Sequence, residues 1–117
     1  MTANERVLKA LAQFPYPCDQ DVAEGDGGVL PERYFTFNRA YEAGADFGDN
    51  RPGFHVVNMQ VHYFLPLEAP YLREKDRIRE ALFAHEFTYP EVTVLTEPEN
   101  GIRHIVFECD AIEERED

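Results

Sequence analysis

The stretch FHVVNMQVHYFLP, Phe54 to Pro66, constrains the fold of this chain more than any other. Val57, Met59, Val61, Tyr63 and Leu65 fall on one parity, and Asn58, Gln60 and His62 on the other. Side chains of a strand point to opposite faces with period two, so strict alternation predicts a strand with one buried face. Strands average about 5–6 residues, so this one is long. Its second face is polar but carries no charge, which an ordinary solvated face of a charge-rich chain would carry.

The flanking segments supply the partners of that strand. TANE at the start reads as a capping box, with Thr2 and Glu5 satisfying each other's backbone donors. A helix is predicted from about Asn4 to Phe14, with Val7, Leu8, Leu11 and Phe14 on one face. Pro15 and Pro17 stop it. Residues 15–31 are acidic and glycine-rich and read as a long loop. YFTFN predicts a second strand within Arg33 to Glu42, with Phe35, Phe37 and Tyr41 on one parity. Residues 43–53 hold three glycines, Pro52 and Asp49-Asn50, all turn chemistry, and read as a projecting arm between two antiparallel strands. Tyr71 to about Phe87 predicts an amphipathic helix with Leu72, Ile78, Ala81, Leu82 and His85 inward. Glu74 with Arg77, and Asp76 with Arg79, would line its solvated face. Asn100-Gly101 between two β-rich runs predicts a closing hairpin. In its last strand Ile105, Phe107, Cys109 and Ala111 share one face, and His104, Glu108 and Asp110 the other. Residues 113–117 read as a charged, frayed tail. The expected fold is a single α+β domain over residues 1–117, of order α-β-β-α-β-β. Its sheet is antiparallel, with the helices packed on one face.

Charge and composition remove several function classes. The net charge is −12, from 23 acidic and 11 basic residues. Specific nucleic-acid binding needs Lys and Arg to replace counterions, so it is not expected. An anionic membrane surface is disfavoured for the same reason. No apolar run reaches the ~18 residues of a membrane span. Glu5 and Arg6 interrupt the N-terminal segment where a signal peptide needs an apolar core, so a cytoplasmic protein is expected. Cys18 and Cys109 match no CxxC pattern and read as reduced thiols.

The search for catalytic chemistry yields no specific constellation. The chain has no serine, which excludes a serine nucleophile. GxGxxG, P-loop, HExxH and GxSxG patterns are also missing. No catalytic residue, metal site or cofactor is expected. The alternative is a small ligand- or metal-binding site over the sheet, with His62, His104 and a carboxylate of Glu108 or Asp110, a set adequate for zinc. His55 lies on the opposite parity to His62 and cannot join it.

Asn58, Gln60, His62 and Phe64 form the uncharged face of the long strand. Depletion of charge with aromatic and amide content is the compositional mark of an interface centre. These four are therefore the candidate contacts with another copy or another protein. Asp46, Asp49, Asn50 and Arg51 in the arm are candidate partner-binding residues.

The order of these segments resembles the small tail-terminator, or tail-completion, proteins of long-tailed bacteriophages and prophages. The similarity rests on a short first helix, a proline-punctuated loop, YFTFN, the loop GDNRP, the strand VVNMQVHYF, the charged helix REKDRIREALFAHEF and a C-terminal strand RHIVFECDAIEE. It covers about residues 4 to 113, and its motifs are diffuse. The resemblance implies a non-enzymatic structural protein that forms a ring, six-fold in expectation, on the head-proximal end of the tail tube. It implies contacts with the tail tube protein and the head-tail connector protein, location in the host cytoplasm during assembly and then in the virion tail, and DNA passing through the lumen. A different neck or baseplate adaptor of a phage is the alternative within this class.

Overall fold

The computed structural model describes residues 1–25, 28–44 and 53–114. The arm residues Asp46, Asp49, Asn50 and Arg51 lie outside them. Helix α1 spans Ala3–Leu11 and opens with the predicted box: Thr2 Oγ1 accepts from the Glu5 amide at 3.2 Å, and Glu5 Oε1 from the Thr2 amide at 3.0 Å. Ala3, Val7, Ala10 and Leu11 are buried, and Phe14 follows them into the core. Leu8, expected inside, is exposed, because the small Ala3 and Ala10 occupy the stripe that faces the sheet.

Five strands make one mixed sheet: β1 (Cys18–Gln20), β2 (Tyr34–Gly44), β3 (Phe54–Pro66), β4 (Glu91–Glu97) and β5 (Ile102–Glu114), in the spatial order β1-β2-β3-β5-β4. Strand β1 corrects the expected order and the expected antiparallel sheet. It pairs parallel to β2 inside the segment read as loop. The Phe35 amide donates to Pro17 O and the Asp21 amide to Phe37 O, both at 2.8 Å. Three residues are too short to show alternation, so no periodic signal betrays this strand.

The remaining pairs are antiparallel, and β3 lies at the centre of the sheet, as its length requires. Its five apolar side chains are all buried, at 1% exposure or less. They meet Phe35 and Phe37 of β2, Ile105, Phe107, Cys109 and Ala111 of β5, and the helices. Each large side chain so buried contributes about 1.5–3 kcal/mol. A bulge between Arg39 and Tyr41 shifts the β2 register, so Tyr41 stands opposite Asn58 on the other face from Phe35 and Phe37. The shared parity expected for Tyr41 fails at that inserted residue. Glu113 and Glu114 belong to β5 rather than to a frayed end, and Glu113 is buried.

Helix α2 spans Leu72–Ala84 and buries Ile78, Ala81 and Leu82 against the same face of the sheet as α1. Leu72 is exposed and His85 half-buried. Glu74 turns inward instead of pairing with Arg77. Arg33 donates to it at 2.8 Å, Tyr16 at 2.7 Å and the Tyr63 hydroxyl also donates to it. This network fixes the start of α2 on β3. The helix ends in a Schellman motif, with the Phe87 amide on Leu82 O and the Glu86 amide on Phe83 O. Glu86 occupies the left-handed position at φ 69°. The last turn of the hairpin is four residues, Pro98 to Gly101, between Glu97 and Ile102. Gly101 takes φ 66° there, whereas Asn100 keeps a negative φ. No described helix is long and apolar enough to cross a membrane.

Candidate functional site on the open sheet face

Both helices pack on one face of the sheet, which leaves the face bearing Asn58, Gln60, His62 and Phe64 without a helix over it. The structure brings all four predicted residues to that face, each half-buried by its neighbours. Strand register then gives rows across β2, β3, β5 and β4: Tyr34–Phe64–His104–Leu95, Thr36–His62–Val106–Thr93 and Asn38–Gln60–Glu108–Glu91. Beyond them Tyr41, Asn58 and Asp110 align, followed by Ala43, Val56 and Ile112.

The first two rows are tightly bonded. Rings of Tyr34 and Phe64 stack at 4.8 Å, and those of Phe64 and His104 at 4.3 Å. His62 Nδ1 lies 2.8 Å from His104 Nε2, and His62 Nε2 lies 2.8 Å from Asn38 Oδ1. Burial holds both imidazoles below the ordinary histidine pKa; the His104 ring adds to this at His62, and Glu97 pulls the other way at His104. A neutral, hydrogen-bonded, aromatic surface results. At its end a groove of about 290 Å³ has Leu30, Pro31, Tyr34, Phe64 and Ile102 in its lining together with one carboxylate, Glu32.

The anticipated approach of His62 to His104 therefore occurs, but the third partner is Asn38. Asp110 accepts from Asn58 Nδ2 at 2.8 Å instead. Two imidazoles in direct hydrogen-bond contact leave no room between them for an ion. Sequence reasoning places His104, Glu108 and Asp110 on the polar face of the last strand but assigns no face to the residues of β4. Strands β5 and β4 add Glu91, Glu97, Glu108, Asp110 and Glu114, and the described residues of this face include no Lys or Arg. The face carries no charge on β2 and β3, is acidic along β4 and β5, and has Asp19 of β1 at the outer end of the His62 row.

A second polar cluster sits on the core parity at the far end of the sheet. Glu113 accepts from Arg39 at 3.0 Å, from His55 Nε2 at 2.8 Å and from the Ala3 amide at 2.7 Å. Arg39 also donates to Asn4 Oδ1 at 3.0 Å and to Glu42. The Arg39 guanidinium foremost, with the Ala3 amide and His55, holds the Glu113 carboxyl down to about 2. Ligand atoms of Glu42, His55 and Glu113 lie within 4.8 Å of one another, a spacing a metal ion could use. Arg39 already lies against both carboxylates and supplies the positive charge there. The cluster ties the start of α1 to three strands. Its signal in the sequence is charge at core parity: Arg39 follows Phe35 and Phe37, His55 precedes Val57, and Glu113 follows Ala111.

Neither thiol is activated. Burial pushes Cys18 and Cys109 up to about 12, with Asp19 and Asp110 adding to it. A larger cavity of about 670 Å³ under the β1 loop is lined by Pro17, Asp19, Glu24, Gly25, Val29, Leu30 and Pro31. Its described lining offers two carboxylates and no base–nucleophile pair. No family model matches this chain, and no curated protein matches it.

Proposed function

We propose that this chain is a structural assembly subunit without catalytic activity, which forms a ring on the head-proximal end of a phage or prophage tail tube and joins it to the head connector. The observation that carries the reading is the open face of the sheet. Stacked Tyr34, Phe64 and His104 rings and the His62 imidazole hydrogen-bonded to His104 form an uncharged patch on it, a composition suited to desolvation against another subunit. The net charge of −12 supports it from the side of DNA. A negative lumen repels phosphates and lets DNA slide. A ring needs a heterologous contact, in which the open face of one subunit meets a different surface of the next.

The test is mass by light scattering over a concentration series, followed by negative-stain imaging of the protein alone and added to growing tail tubes. Rings, or tubes capped and fixed in length, are expected. Tubes that bind no protein and keep lengthening would overturn the reading.

A further inference from the structure

The two edges of the sheet differ in a way that bears on binding. On the β1 side the edge is blunted. Strand β1 has three residues, lies between Pro17 and the left-handed Asp21, and covers only part of β2, which then bulges. Short strands, prolines and bulges all discourage strand addition. Strand β4 is seven residues long and unbulged, and its flanking prolines, Pro90 and Pro98, lie outside the run Val92 to Thr96. It pairs with β5 along one side, and among the described residues no strand lies outside it. No backbone hydrogen bond from outside the sheet reaches Val92 to Thr96. That run, VTVLT, is uncharged and β-forming, with Val94 and Leu95 exposed.

Charge brackets the run. Glu91 and Glu97 stand on the open face, opposite Glu108 and Ile102 of β5. Glu91 and Glu108 are therefore like charges directly opposed, an unfavourable cross-strand pair. The described residues form no salt bridge to Glu91, Glu97 or Glu108. A second copy of β4 is a poor partner. Antiparallel pairing over its full length sets Glu91 against the copy's Glu97 at both ends.

We propose that the outer edge of β4 accepts an extended segment of a different protein, in which Lys or Arg residues six positions apart stand beside Glu91 and Glu97. Six positions is an even spacing, so both cations fall on the open face with the two carboxylates. The backbone ladder supplies affinity, and the two charge pairs select the partner and its register. A seven-residue segment spans the edge, at about 3.3 Å per residue. This goes beyond the ring reading, since it concerns a surface tested on the isolated chain whether or not rings form.

The probe is the peptide acetyl-KTVTVTK-amide, titrated into the full chain, with acetyl-ETVTVTE-amide as its counterpart. Amide hydrogen exchange is read at Val92 to Thr96. With the lysine peptide at ten times its dissociation constant, exchange of the outward amides should slow about tenfold, and the effect should weaken with salt. The glutamate peptide should leave exchange unchanged. A Glu91→Lys, Glu97→Lys double variant should reverse the preference. The proposal is overturned if the lysine peptide gives no protection at β4 or if both peptides protect the parent equally. Protection of β4 that rises with protein concentration alone would assign the edge to a second copy and also overturn it.

Discussion

His62 and His104 share a hydrogen bond, with Nδ1 of the first 2.8 Å from Nε2 of the second. The Asn38 amide oxygen fixes its direction. It accepts from His62 Nε2–H, so His62 Nδ1 is the acceptor and His104 Nε2 the donor. A proton on both rings would set two N–H groups against each other. Both histidines are held below their ordinary pKa of 6.5 by burial. Their contribution to stability is therefore fully present above pH 6.5 and is lost as the pH falls through the lowered folded values. Thermal or urea unfolding of the parent should show this limb as a loss of stability on acidification below pH 6.5. His104→Gln keeps a donor toward His62 but does not titrate, and its stability should be flatter between pH 7 and 5. An unchanged limb in that variant would place the titration elsewhere.

A lower limb belongs to Glu113. Its carboxyl is depressed from 4.5 to about 2, chiefly by Arg39, so its contribution is full above pH 4.5 and disappears as the pH falls toward 2. Glu113→Gln should cost about 3 kcal/mol at neutral pH, because it leaves Arg39 and the Ala3 amide short of a largely buried acceptor. The variant should also lose stability less steeply below pH 4.5 than the parent. Denaturant unfolding at pH 7 and pH 3 measures both.

Glu86 should be better as glycine. It holds the left-handed position of the Schellman motif at φ 69°, where a side chain costs about 1 kcal/mol. Its ion pair with Arg6 is long, at 3.9 Å, and although Arg6 is largely buried the Glu86 carboxylate is exposed, so losing the pair offsets only part of the relieved strain. Glu86→Gly should raise stability by about 0.5 kcal/mol, a little below the strain because glycine also loosens the unfolded chain. A destabilised variant in a melting experiment would contradict this.

How far the sequence discloses these features depends on the length of each pattern. The thirteen-residue strand Phe54–Pro66 declares both its faces, since alternation over that span has one explanation. The capping box at Thr2 and Glu5 is equally local and is formed as written. Strand β1 is too short to alternate, and Tyr41 changes face because one inserted residue reverses all later parity. Glu74 looks solvated by helical spacing, yet Arg33 and Tyr63 reach it from distant parts of the chain. The open face is legible along β3 and along β5, where His104, Glu108 and Asp110 share a parity, but not along β4. Its acidic half comes from Glu91 and Glu108, and their meeting depends on a register that no single segment carries.

That register also selects the substitution that tests the assembly interface. Gln60 stands between Asn38 and Glu108 on the open face. Glutamate at position 60 would oppose Glu108 and unsettle the free subunit, whereas lysine finds a carboxylate beside it. Gln60→Lys should therefore fold with stability within about 0.5 kcal/mol of the parent. On assembly the new charge would be desolvated, at a cost commonly of several kcal/mol. The deciding measurement is light scattering of parent and Gln60→Lys, alone and with tail tubes, at neutral pH. The account predicts that the parent assembles and the variant remains a folded monomer that fails to cap tubes. A Gln60→Lys variant that assembles and caps as well as the parent would contradict it, because the open face would then remain in water.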